Sequence, residues 1–208
     1  MSLPRGRHRF HGAIVGVGST SGTRIVVGRW QASPLGSFAD VMIAEPDGTR
    51  VLLAPDEAVA EFVSTTYGFD RVVIGPVQVE IDHGSGGVRW HVVAPGLETT
   101  IRVGRRPLLG RALTVVPRRL ATAPFWARLT DPVARVVLRG VRTRGSAGNG
   151  RREYYGATDL HRVIALDGFW QGSDLGTLAP VSPDPGFGFG STPRRPSVTS
   201  VITTVDVR

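Results

Sequence analysis

Residues 77–103, VQVEIDHGSGGVRWHVVAPGLETTIRV, decide the fold, because apolar and polar side chains alternate through them with a period of two. Val77, Val79 and Ile81 are separated by Gln78, Glu80 and Asp82, and after Gly84-Ser85-Gly86-Gly87 the residues Val88, Trp90 and Val92 alternate with Arg89 and His91. That period belongs to a strand with one buried face. A two-residue loop at Ser85-Gly86 sets Ile81 opposite Trp90 and Val79 opposite Val92 on one side. On the other side it sets Asp82 opposite Arg89 and Glu80 opposite His91. A slip of one residue would scramble both faces, so the pattern itself supports the register. Pro95-Gly96 reverses the chain again and sets Ala94, Val92, Trp90 and Val88 against Leu97, Thr99, Ile101 and Val103. The stretch reads as a three-stranded antiparallel meander with one apolar face.

Outward from the meander, strand signals continue in both directions. Asp47-Gly48 is a strong hairpin signal and pairs 40–45 with 50–53, with Glu45 opposite Arg50 and Met42 opposite Leu53. Residues 10–18 and 24–30 flank the loop Ser19–Gly22 as another strand pair. Residues 152–166 and 169–171 read as strands around Asp167-Gly168, and 198–207, rich in Thr and Val, as a terminal strand. A helix is expected over 56–67, with Val59, Phe62, Val63 and Tyr67 on one face and Gly68 as its stop. Between Pro107 and Gly140 the alternation disappears. Leu108, Leu109, Ala112, Leu113 and Val116 suggest a short helix ending near Pro117, and Asp131-Pro132 opens a second one over 133–139. The Pro- and Gly-dense stretch 180–196 reads as a loop. Together these give a mainly β chain, an antiparallel β-barrel of about nine or more strands. It carries a short amphipathic helix and a basic helical insertion at about 107–140. Residues 1–9 read as a flexible basic N-terminus and 10–208 as a single domain.

Two absences restrict the chemistry. All 25 basic residues are arginine, so no Schiff base, no pyridoxal aldimine and no P-loop lysine can form. Cysteine is absent as well, which removes thiol nucleophiles, disulfides, Fe–S clusters and thiolate-ligated zinc. The five histidines (His8, His11, His83, His91, His161) fall in no metal-ligand spacing, and neither metal nor cofactor is expected. The charged start (Arg5, Arg7, Arg9) differs from a signal peptide. No stretch approaches the roughly 18 apolar residues of a spanning helix, so a cytoplasmic location is expected.

The charge is unevenly distributed. Residues 105–152 hold twelve arginines and a single acid, Asp131, a net +11 in a chain of +8, so the remainder sums to −3. Leu108, Leu109, Phe125, Trp126, Leu129, Val136 and Leu138 interleave with these arginines, which suits an anionic ligand, membrane or partner surface. Nucleic acid is not expected: there is no helix-turn-helix, no aromatic RNA-binding strand and no zinc-finger spacing. Oligomeric state is left open.

Candidate sites follow from what remains. Gly16–Gly22 (GVGSTSG) has the look of a phosphate loop, but it lacks the dinucleotide spacing and the lysine and runs into a strand, so a hairpin turn is expected. Gly145–Gly150 reads as a connection whose amides could cradle an anion. No Gly-x-Ser-x-Gly elbow occurs. The richest polar stretch is Arg151–Arg162 (RREYYGATDLHR), which as a regular strand puts Glu153, Tyr155, Asp159 and His161 on one face. Asp159 and His161 would bracket one ligand group, with His161 as the proton carrier. With Trp90, Arg144 and Arg151 these four form the candidate ligand-binding set.

Gly28–Pro34 (GRWQASP) and the stretch 145–161 resemble an uncharacterised conserved protein family of high-GC Gram-positive bacteria, a likeness that spans nearly the whole chain and implies no activity. Ser33–Asp40 (SPLGSFAD) is similar to a strand of acetoacetate-decarboxylase-like barrels, and lipocalin-like barrels offer a competing analogy. The decarboxylase Schiff-base lysine has no counterpart here, so that resemblance implies shape only. The leading expectation is non-covalent binding of a small apolar anionic (amphiphilic) ligand in the barrel. Peripheral binding to an anionic membrane or partner surface through 105–152 is one alternative, and a cofactor-independent enzyme using His161 with Asp159 or Glu153 is another.

Overall fold

A computed structural model describes residues 4–117, 144–146, 152–188 and 192–207. The second helix expected at 133–139 lies outside them, as do Phe125, Trp126 and nine of the twelve clustered arginine side chains. Among the described residues thirteen strands form one sheet: β1 (Gly6–Ser19), β2 (Arg24–Ala32), β3 (Phe38–Ala44), β4 (Arg50–Ala54), β5 (Arg71–Ile74), β6 (Gln78–Gly84) and β7 (Gly87–Ala94) come first in the chain. They are followed by β8 (Leu97–Val103), β9 (Arg144–Ser146), β10 (Arg152–Trp170), β11 (Ser173–Asp174), β12 (Leu178–Ala179) and β13 (Ser197–Val207). Helix α1 (Glu57–Ser64) follows β4, and α2 (Leu108–Val115) follows β8.

Ten strands run in the order β5-β4-β3-β2-β1-β13-β10-β8-β7-β6. The ladders are antiparallel except for the β4–β5 pair, which α1 connects as a parallel crossover. The sheet curls into a half-barrel. Side chains from its two ends, Val73 of β5 and Val79 and Ile81 of β6, pack on the same core as Val15, Val27, Trp90 and Ile101 from its middle. The mainly β, barrel-like class read from the alternation is therefore the class observed.

The long strand β10 joins the two halves. Its first part pairs with β13 and its second with β8, and each part carries a register shift, between Ala157 and Asp159 and between Val163 and Ala165. Each shift leaves one extra residue, Thr158 or Ile164, and turns the following side chains to the opposite face. The half built of β6, β7 and β8 has an inner apolar face and an outer polar one. The half built of β1–β4 and β13 is covered on both faces over the middle of its strands. Its inner side packs in the core above. Its outer side packs Phe10, Leu52, Ala54 and Val205 against Val59, Phe62 and Val63 of α1. Asp56 caps α1 by accepting the Val59 amide at 2.8 Å, as the Asp-x-x pattern favours.

The meander register is as read from the alternation: Ile81 faces Trp90, Glu80 faces His91, Asp82 faces Arg89, and Ala94 faces Leu97. Three expectations need correction. The Asp47-Gly48 hairpin is shifted by one residue, with Ala44 opposite Arg50 and Met42 opposite Leu52. Pro46 makes it a three-residue loop: the Glu45 amide donates to Thr49 O at 2.8 Å, and Gly48 takes a positive φ of 94°. Strand β10 also runs unbroken through Asp167-Gly168, which pair with Thr100 and Thr99. A Cβ at residue 168 would collide with Glu98 O, so the glycine there permits close backbone approach within a ladder and makes no turn. Finally, β1 begins at Gly6, within the stretch read as flexible, because Gly6 to Arg9 pair with β13.

Candidate functional site

The rows of cross-strand neighbours on the inner face define the site. One row reads His161, Val198, Val15, Val27, Val41, Leu53 and Val73 across seven strands, so His161 terminates a run of core aliphatics. The adjacent row is Asp159, Ser200, Ala13, Arg29 and Ala39. Beyond it lie Gly156, Ile202, His11 and Ala32, and then Tyr154, Thr204 and Arg9. The inner face thus changes from valine to polar and cationic within two rows. Neither Arg9 nor Arg29 forms an ion pair among the described residues.

At the β10 edge of this face, three side chains lock together. Arg106 grips Asp159 bidentately, Nε to Oδ1 and Nη2 to Oδ2, both at 2.8 Å. The Leu160 amide donates to Asp159 Oδ1 at 2.7 Å, and His161 Nε2 lies 3.3 Å from Asp159 Oδ2. Burial pushes the Asp159 carboxyl up, but the Arg106 bonds, the Leu160 amide and the charges of His161 and Arg106 outweigh it and hold the group below its ordinary value. The chain before α2 is what delivers Arg106. Gly104 donates to Arg162 O at 2.6 Å, and Gly110 lies so close to Leu160 O that a Cβ would collide with it. His161 Nδ1 is 3.2 Å from Gly104 O. Both ring nitrogens therefore face oxygen atoms, so Asp159 and Gly104 hold the imidazole in place.

The expected grouping of Glu153, Tyr155, Asp159 and His161 on one face is overturned by the extra residue at Thr158. Asp159 and His161 share the inner face, whereas Tyr155 pairs with Thr203 on the outer face, beside Phe10. There the Tyr155 hydroxyl hydrogen-bonds the Tyr67 hydroxyl beyond α1. The backbone of Glu153 lies in the same alternation as Tyr155, but its side chain, that of Arg144, and Arg151 fall outside the described residues. Trp90 is 3% exposed and packed in the core with Ile101 and Val92, so its ring is spent on stability. His91 keeps its register opposite Glu80, but its Nδ1 turns to the Thr100 hydroxyl at 3.3 Å.

The loop resembling a phosphate cradle is a hairpin turn whose amides are already used. Ser19 donates to Thr23 O, Thr20 to Thr177 O, Ser21 to Leu175 O and Gly22 to Ser19 O. Of Gly145–Gly150, the last four residues lie outside the described set. Among the described residues no group of three or more His, Asp and Glu could hold a metal ion, and no helix is long and apolar enough to cross a membrane.

One unanticipated group is Asp40 on the outer face, 1% exposed. Trp30 Nε1 donates to its Oδ1 at 3.0 Å, and a Cβ on the facing Gly28 would collide with both groups. Burial pushes the carboxyl up to about 7, and the Trp30 hydrogen bond opposes this only in part. Nothing local marked Asp40, Arg29 or Arg106, since each gains its role from a partner or row that the fold supplies. No protein-family model matches this chain, and no curated protein and no solved structure matches it either.

Proposed function

We propose that this half-barrel binds a small apolar anionic ligand non-covalently, at the polar end of its inner face. The observation that carries the reading is the pair of guanidiniums of Arg9 and Arg29, without an ion pair among the described residues, on the same face as Ala13, Val15, Ala32 and Ile202. A carboxylate or phosphate head suits a planar guanidinium. An aliphatic tail suits the alanine, valine and isoleucine beside it. The Arg106–Asp159–His161 unit bounds the same face about three strand spacings from Arg29, roughly 14 Å along the hydrogen-bonding direction. The centre of the half-barrel is not the proposed seat, because Trp90, Ile101, Leu97 and Val27 fill it.

Isothermal titration with decanoate, decyl phosphate, decanol and decyltrimethylammonium tests this. Saturable binding of the two anions, with decanol weaker and the cation absent, is the expected pattern. Arg29→Gln should weaken decyl phosphate binding about tenfold or more, the worth of one charge-assisted hydrogen bond. Equal uptake of all four amphiphiles, or of none, would sink the proposal.

A further inference from the structure

Helix α2 is apolar on two sides: Leu109 and Leu113 are half-buried on the side of Gly110, and a second apolar stripe is exposed. Its one buried residue is Gly110, set against β10. The stripe at i, i+4 and i+7, made of Leu108, Ala112 and Val115, points away from the sheet, with Leu108 81% and Val115 82% exposed. Next to the helix start, the extra residue of the second β10 bulge, Ile164, lies over Gly104 and is 60% exposed. Exposed arginines stand close to these apolar tips in the chain. Arg105 and Arg162 are joined through the Arg162 amide and Arg105 O at 3.2 Å, and Arg111 sits one quarter-turn from the stripe. No acidic residue occurs between Arg105 and Pro117, and the whole of 105–152 carries +11.

Exposed apolar tips beside exposed guanidiniums, on a stretch with no carboxylate from Arg105 to Pro117, complement one kind of partner. We infer that this corner docks on the surface of an anionic lipid bilayer. Leu108, Val115 and Ile164 enter the headgroup boundary, and Arg105, Arg111 and Arg162 bind lipid phosphates. The apolar contribution of one short helix is small, so the arginines carry much of the attachment, and the binding is reversible and salt-sensitive. A protein partner or a second copy would be expected to supply carboxylates or an apolar groove of its own. The bilayer needs only the charge and the exposed tips that this corner presents.

The test is flotation of the full chain with phosphatidylcholine vesicles, with and without phosphatidylglycerol. The expected result is recovery with the anionic vesicles alone, lost in high salt. Each of Arg105→Gln, Arg111→Gln and Arg162→Gln should lower the partition roughly fivefold, as one surface cation does. Leu108→Asp combined with Val115→Asp should abolish flotation. Both side chains are exposed, so thermal unfolding and decyl phosphate binding should be unchanged. That separates failure of this surface from failure of the proposed ligand site. Equal flotation with neutral vesicles, or flotation that survives the double substitution, overturns the inference. So does the absence of flotation, and in that case a concentration-dependent dimer by light scattering would assign the stripe to a second copy.

Discussion

The two halves of the sheet bury their residues under different rules. In β6, β7 and β8 one face is wet, and the polar side chains on that face have water within reach. Over the middle of β1–β4 and β13 both faces are covered, so polar groups there must find partners inside the protein. Several do not: among the described residues Arg24 Nε, Ser197 Oγ and Thr203 Oγ1 are buried with no hydrogen-bond partner, and Asp40 is held by the Trp30 indole. A sheet clad on both sides gains apolar burial and loses its tolerance for misplaced polarity.

Substitutions can break or sharpen that contrast. The largest effect is expected at the shared inner core: Trp90→Ala should cost about 3–5 kcal/mol in urea unfolding, since its ring is buried among Ile101 and Val92. Next comes Asp40, whose sign follows from its raised value. The folded chain keeps the proton that the unfolded chain has released, so stability falls as pH rises from the ordinary carboxyl range to about 7. The slope should be on the order of 1.4 kcal/mol per pH unit. Asp40→Asn should flatten this dependence and leave the protein more stable than wild type at pH 8 but not at pH 4. A wild-type melting temperature that does not fall from pH 5 to pH 8 would contradict it. Gly28→Ala, driven into Asp40 and Trp30, should cost about 1–3 kcal/mol. Thr203→Val replaces an unpartnered buried hydroxyl and should gain about 1 kcal/mol. Arg89→Ala, on the wet face of β7, should change stability by less than about 0.5 kcal/mol.

The same contrast explains what could be read in advance. The meander was legible to the residue because one wet and one dry face leave a period of two in the sequence, and its loops are the minimal ones. The 40–53 hairpin shifted by one because Pro46 lengthened its loop, and the doubly covered strands around it hold no alternation that would have exposed the error. In β10 the extra residues Thr158 and Ile164 look like any other, yet each reverses the side chains that follow, which split the anticipated polar face in two. The Asp159–His161 pair was visible as a spacing. Its clamp, Arg106, lies 53 residues from Asp159 and becomes a neighbour only through the β8–α2 connection.

Strand β10 also bears on how the molecule comes apart. It lends its first part to one half of the sheet and its second part to the other, and core residues from both halves meet in a single cluster. Neither half keeps its edge partner if β10 is lost, and neither keeps its inner cover if the other half unfolds. Melting should therefore be a single cooperative event, with calorimetric and van't Hoff enthalpies equal. The slowest amide exchange should lie in the middle of β10, where one length of backbone answers to both sides at once.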